Sequence, residues 1–360
     1  MILGHGGNKQ QLADRLGCPT DEIIDMSSNL NPLGPPEMIH GLIREKIHSI
    51  HALPEPAGDA MAKGFARYHG IDPGLVIPGN GTTFFIYTLP MALNPEKVLI
   101  LGPTYSDYQD ACAMHGIEYS LSPAKKESGF HPDLDLVSAQ AAQADLVFVC
   151  NPNNPTGALI QKQDLLALIK AHTGTCFVVD ESYLPFVDDA DALSFVKDTE
   201  IANLLVLSSM SKIFRIPGLR TGFLSGAKPL VDKVMAYYQP WSVNALAQEV
   251  IQKIFSRPQE IDPFYQKTRD YIKEEKAKFI AALANVPGIR VFDSPTYFVL
   301  AELETMTAKL FCDLVGEDRI LIRDCGNFQG LSERFVRFSL KTESINQALV
   351  SSIKKALTHD

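Results

Sequence analysis

The feature that most narrows the possible folds is a rhythm: from about residue 60, short apolar runs alternate with amphipathic stretches. The runs are KVLIL (97–101), DLVFVC (145–150), CFVVD (176–180), NLLVLSS (203–209) and TGFLSG (221–226). Each is rich in β-formers, bounded by Gly, Pro or Asn, and separated from the next by a helical length of chain. That pattern predicts an α/β domain with a mostly parallel sheet covered on both faces. Ligands of such sheets gather outside the carboxyl ends of the strands. The polar punctuation falls there: NPNNPTG follows DLVFVC, DESY closes CFVVD and SSMSK ends NLLVLSS. After about residue 250 the rhythm changes. A long charged helix over 262–286 leads into short strands around YFVLAEL and RFVRFSL, which predicts a smaller α+β domain.

At 360 residues the chain exceeds the size at which one core stops growing. The expected division is an N-terminal arm with part of the small domain (1–45), a large domain (46–250) and a C-terminal small domain (251–360). No repeat and no Gly/Ser linker separates them, so they are expected to pack together. With 46% hydrophobic and 21% charged residues, the composition excludes a disordered chain. A net charge of −9 without any Lys/Arg run argues against nucleic acid as a partner. The six cysteines, Cys18, Cys112, Cys150, Cys176, Cys312 and Cys325, form no CxxC pair, so they read as thiols in a reducing compartment, and no metal site is expected. The start, MILGHGGNKQQ, lacks a basic and apolar leader, and no apolar run is long enough to span a membrane. A cytoplasmic protein is expected.

One lysine stands out. Lys212 lies in SSMSKIFRIPGLRTGF (208–223) among small hydroxyl residues, with Arg220 eight positions on. A lysine condenses with an aldehyde only when partly deprotonated, which desolvation or a neighbouring cation promotes. The plainer alternative is a surface lysine beyond a strand end. GNGTT (79–83) precedes the apolar stretch FFIYTLPMAL, and glycines with hydroxyl residues at a helix start form an anion site. Alone it is equally a turn; with Ser209, Ser211 and Arg220 it supplies donors for one phosphate group.

Asp180 closes CFVVD, where an unpaired carboxylate is costly. A protonated pyridine nitrogen would satisfy it, and so would a role as N-cap of the next helix. Asn154 and the Tyr183 hydroxyl could donate to a phenolate-like oxygen, or be a turn former and a partly buried tyrosine. Tyr105, in PTYSDY, could stack on a flat ring, with Tyr108 as second candidate.

The order of these pieces is Gly-Asn-Gly, an aromatic, NPTG, Asp-x-x-Tyr, Ser-x-Ser-Lys and then Arg. Over nearly its whole length the chain thereby resembles the fold type I pyridoxal-phosphate enzymes, the aspartate-aminotransferase-like group. The resemblance implies a three-layer α/β/α large domain with a mainly parallel sheet, a smaller α+β domain, pyridoxal 5'-phosphate as cofactor, and a homodimer. It also implies Lys212 as the residue that binds the cofactor aldehyde and Asp180 as partner of the ring nitrogen. Asn154 and Tyr183 would meet the phenolic oxygen and Tyr105 the ring face. Gly81, Thr82, Ser209, Ser211 and Arg220 would hold the phosphate. Lys212, Asp180 and Tyr183 would carry catalysis.

HGGN (5–8), SSNLNPLG (27–34), PWSVNALA (240–247) and ILIRDCGNFQGL (320–331) look like the threonine-phosphate decarboxylases of that group. The implied activity is decarboxylation of threonine phosphate, with serine phosphate as a second substrate, to an aminopropanol phosphate for the cobalamin nucleotide loop. Histidinol-phosphate aminotransferases, which share the core and RFVRFSL, are the alternative. A ligand-sensing domain of a transcription regulator is the non-enzymatic alternative, disfavoured because HGGN begins at residue 5, leaving no room for a winged helix. A phosphorylated amino acid brings a phosphate and a carboxylate, and guanidinium binds both bidentately. Arg323 and Arg337 are the candidates, although Arg337 could equally be an edge-strand arginine. By similarity His5, Asn29 and Asn154 would add substrate contacts; without the HGGN match, His5 would read as part of a disordered terminus. One departure stands at HALPEPAGD, where Leu53 replaces the tyrosine that relatives send to the partner's cofactor phosphate. Thr82 or Thr83 could supply the missing hydroxyl.

Overall fold

The computed structural model describes residues 6–358. Its centre is a seven-stranded sheet in the order 76–79, 222–226, 204–209, 176–180, 146–150, 97–102 and 118–123. Gly222–Gly226 is antiparallel to both neighbours and the other six strands are parallel to one another. Leu146–Cys150 and Leu204–Ser209 are buried at every residue, so helices cover both sheet faces and make three layers. All five apolar runs form strands. Two strands lie outside those runs. Glu118–Pro123 is an edge strand whose polar residues alternate with apolar ones on a half-solvated surface, and Val76–Gly79 is only four residues long and ends in a proline and a glycine.

A second sheet is antiparallel, in the order 323–324, 335–339, 298–303 and 289–291. With helices Ala308–Gly316, Glu343–Leu357 and Pro258–Leu283 it encloses its own core around Phe279, Phe311, Phe338 and Leu349. The long helix starts before the expected 262, because Pro258 at its first position fixes φ where no N–H is needed. Near the start of the chain, Ile24–Asp25 pairs in parallel with Ile320–Leu321 and so joins the C-terminal part of the molecule. No described helix is long and apolar enough to cross a membrane.

An aromatic cluster locks the antiparallel strand in place. The Phe223 ring stacks on Phe65 at 4.1 Å, and Phe255 meets both rings edge-on. The strand Gly222–Gly226 is thereby tied to helices Asp59–His69 and Ala245–Phe255. Phe65→Ala is expected to lower the free energy of unfolding by about 3–5 kcal/mol, the range for a large-to-small core change. Urea denaturation checks it; a loss under about 1 kcal/mol would contradict the packing described.

Candidate active site

Asp180 is the last residue of its strand and lies in register with Cys150 and Leu207 of the strands on either side. Its carboxylate is therefore at the carboxyl edge of the sheet, yet only 4% of the residue is exposed. The Ser182 N–H donates to Oδ1 at 2.9 Å and the Tyr108 hydroxyl to Oδ2 at 2.8 Å. Burial still raises its pKa above the usual carboxylate value, against the pull of those donors and of Lys212. The site thus holds a buried carboxylate that lacks a full counter-ion. Tyr108 is fully buried, with its ring stacked on Phe148 at 5.0 Å. Tyr105 lines both cavities described here, as Tyr183 does.

Leu204–Ser209 ends in Ser209, which caps a single helical turn, Met210–Ile213. That turn carries Lys212 into a cavity also lined by Gly81, Thr82, Tyr105, Asn154, Asp180, Tyr183, Ser209, Ser211 and Arg220. All the residues expected around the cofactor are therefore brought together. Enclosure, helped by the Arg220 and Arg337 charges, pushes the Lys212 amine down to about 8. An ordinary lysine at pH 8 is almost wholly protonated; burial and the neighbouring guanidiniums make this one give up its proton more readily. The enclosed amine is therefore nucleophilic.

One end of the cavity suits an anion. Gly81, at φ 79°, caps helix Thr82–Leu93, whose first N–H groups have no partner within the helix, and Gly81, Thr82 and Thr83 all line the cavity. A Cβ on Gly81 would lie 2.8 Å from Arg220 Nη2, and one on Gly222 would lie 2.7 Å from the Thr82 nitrogen. Only glycine allows this approach of backbone, strand and guanidinium. Ser209 and Ser211 are buried beside it. A phosphate fits among these donors, a cationic ring nitrogen fits Asp180 and an aldehyde fits Lys212, so the donor set suits pyridoxal phosphate. Thr82 and Thr83 both line the cavity, while Leu53 is 81% exposed.

A second cavity shares Tyr105, Asn154, Tyr183 and Lys212 with the first and adds Asn29, Arg323 and Arg337. Arg337 donates from Nη1 to Asn154 Oδ1 and from Nη2 to the Ser27 carbonyl at 2.6 Å. Its guanidinium lies over the Phe298 ring, 5.6 Å from the centroid. Arg323 donates to Asn327 Oδ1 at 2.8 Å and lies over Phe328 at 5.2 Å. Asn29 donates to the Tyr183 hydroxyl at 3.4 Å and accepts from Ser339 Oγ at 2.6 Å. His5 lies outside the described residues; Gly6, the first described, lines this cavity. Ser27, Phe328 and Gly222 are contributors that the sequence reading missed. The alternation in RFVRFSL was the available signal for the face that meets Ser27.

The model of the family "Aminotransferase class I and II" matches residues 21–353. The chain is 29% identical over 98% of its length to the threonine-phosphate decarboxylase of Salmonella typhimurium, covering 96% of that protein. It is 31% identical over 97% of its length to the adenosylcobalamin biosynthesis bifunctional protein CobDQ of Leptospira interrogans, and spans only 40% of that longer protein. The crystal structure of the histidinol-phosphate aminotransferase from Clostridium acetobutylicum superimposes with a TM-score of 0.86 at 29% identity, over 93% of this chain and 99% of that one. Together with the donor set around Lys212 and Asp180, these matches place the chain in the class I and II aminotransferase family, with the three-layer fold and the pyridoxal 5'-phosphate cofactor of its fold type I members.

Proposed function

We propose that the protein decarboxylates L-threonine O-3-phosphate to (R)-1-amino-2-propanol phosphate for the cobalamin nucleotide loop, and also accepts L-serine O-phosphate. The observation that carries this reading is the second cavity, where two buried guanidiniums, Arg323 and Arg337, stand beside Lys212. A substrate with a phosphate and a carboxylate matches two fixed cations. The decarboxylase relatives and the HGGN, SSNLNPLG and PWSVNALA motifs support the same substrate. Transamination of histidinol phosphate is the second reading, favoured by the close likeness to an aminotransferase structure.

Pyridoxal phosphate, when bound, supplies an electron sink for the pair left behind as CO2 departs. The chain's residues make that sink effective. Asp180 would keep the ring nitrogen protonated, because a buried carboxylate stabilises a cation against it. Tyr183 and Asn154 would donate to the phenolic oxygen, and Tyr105 would cover the ring. Arg323 and Arg337 would orient the substrate so that the bond to its carboxylate is the one cleaved. Lys212, which lines both cavities, would return a proton to the substrate Cα.

A homodimer is part of the proposal. Ile50, Leu53, Tyr237 and Trp241 are exposed, and the two segments that carry them are tied by the Trp241 N–H, which donates to the Pro56 carbonyl at 2.9 Å. Sedimentation at twice the chain mass of 39.6 kDa is expected; a monomer at micromolar concentration would count against it.

Four outcomes test the catalytic reading. The cofactor-free protein should take up pyridoxal phosphate faster as pH rises through about 8, as the Lys212 amine loses its proton. Lys212→Ala should abolish turnover and borohydride fixation of the cofactor; retained decarboxylation would overturn the assignment. Incubation with threonine phosphate, serine phosphate and histidinol phosphate in parallel should release CO2 from the first two. A keto product from histidinol phosphate instead would favour the second reading. Arg323→Ala should raise KM for the phosphorylated substrate by about 10- to 100-fold, the worth of a charge-assisted hydrogen bond, with cofactor affinity little changed. Equal loss of both would remove Arg323 from the substrate.

A further inference from the structure

The strand Phe335–Ser339 runs on towards Lys341 with alternating faces. Val336, Phe338 and Leu340 enter the core of the small sheet, so Arg337, Ser339 and Lys341 share the other face. All three grip one short segment. Arg337 Nη2 donates to the Ser27 carbonyl at 2.6 Å, Lys341 Nζ to the Ser28 carbonyl at 3.2 Å, and Ser339 Oγ to Asn29 Oδ1 at 2.6 Å. The same segment is held from its own start. Asp25 Oδ1 accepts from the Ser27 N–H at 2.9 Å, the Ser27 hydroxyl at 2.7 Å and the Ser28 N–H at 3.1 Å.

Ser27 passes this order to the N-terminal arm. Its hydroxyl gives its proton to Asp25, which leaves an oxygen lone pair aimed elsewhere, and that oxygen accepts the Gly7 N–H at 2.7 Å. The contact leaves no room for side chains: a Cβ on Gly6 would lie 2.6 Å from the Ser27 carbonyl oxygen. Gly7 has φ 90°, and a Cβ there would lie 2.9 Å from Ser28 Oγ. Gly6, Ser27, Ser28 and Asn29 all line the second cavity, whereas Lys341 and Asp25 stand behind it. Lys341 is nonetheless 6% exposed, a charged side chain kept inside the fold.

We propose that Asp25, Ser27 and Lys341 are positioning residues that lock Gly6–Gly7 onto Ser27–Asn29, so that the two stretches form one fixed wall of the substrate cavity. The inference rests on the reading of that cavity as the site of a phosphorylated amine. The wall lines the second cavity, and none of Gly6, Gly7, Ser27, Ser28 and Asn29 lines the first. Its loss therefore raises KM and leaves kcat and the cofactor spectrum in place.

The test uses the full-length holoenzyme with the variants Ser27→Ala, Lys341→Met and Lys341→Arg. In Ser27→Ala, amide hydrogen exchange of the peptide covering residues 6–11 should quicken by about threefold to tenfold, the worth of one lost hydrogen bond, while peptides of the large sheet stay unchanged. Ser27→Ala and Lys341→Met should each raise KM for the phosphorylated substrate by about tenfold, with kcat within about twofold of wild type. Lys341→Arg should restore KM. Unchanged exchange over residues 6–11 overturns the proposal, and so does a parallel fall of kcat and cofactor absorbance. If the wild type turns over no phosphorylated amine, the substrate reading fails, and the exchange result alone still decides the lock.

Discussion

A carboxylate buried at the carboxyl edge of the sheet, with no full counter-ion among the described residues, governs the architecture of the site. Asp180 ends a strand that is flanked on both sides by parallel strands, so its side chain emerges at the carboxyl edge under the loops. Two donors hold its oxygens, yet burial still leaves it an acceptor for more positive charge. Around it the chain sets a nucleophilic amine on one strand end and an anion cradle at the N-terminus of helix Thr82–Leu93. The three charges lie apart in sequence and meet because parallel strands deliver their ends to one edge.

The second cavity extends the same logic. The small sheet contributes Arg337 and Arg323, and each guanidinium lies over an aromatic ring while its edge donors point to polar neighbours. Arg220 and Arg337 together help lower the Lys212 amine, so the cations that suit anionic groups also tune the nucleophile. Binding and reactivity are thus coupled through charge.

Much of this was legible in the sequence. Strands buried on both faces have no solvent side, so CFVVD and NLLVLSS declared themselves as continuous apolar runs, and their polar ends marked the site. The ordered motifs gave Lys212, Asp180, Asn154 and Arg220, which share one cavity. The edge strand Glu118–Pro123 escaped because its burial alternates, and Val76–Gly79 because it is short and ends in turn formers. Tyr108, the second candidate for the ring face, lines the first cavity with its ring packed on Phe148 and its hydroxyl donating to Asp180, a position that its sequence neighbours do not encode. Ser27 and Lys341 were invisible for another reason: their roles depend on contacts across some 310 residues, as in the bond from Arg337 to the Ser27 carbonyl, which no local pattern encodes.

The most direct measurement of the account is the protonation state of the cofactor's ring nitrogen, read by 15N NMR with ring-labelled pyridoxal phosphate in the wild type and in Asp180→Asn. A protonated nitrogen at neutral pH in the wild type that becomes unprotonated in the variant is the predicted result. An unprotonated nitrogen in the wild type, or the same state in both proteins, would contradict the role given to the buried carboxylate.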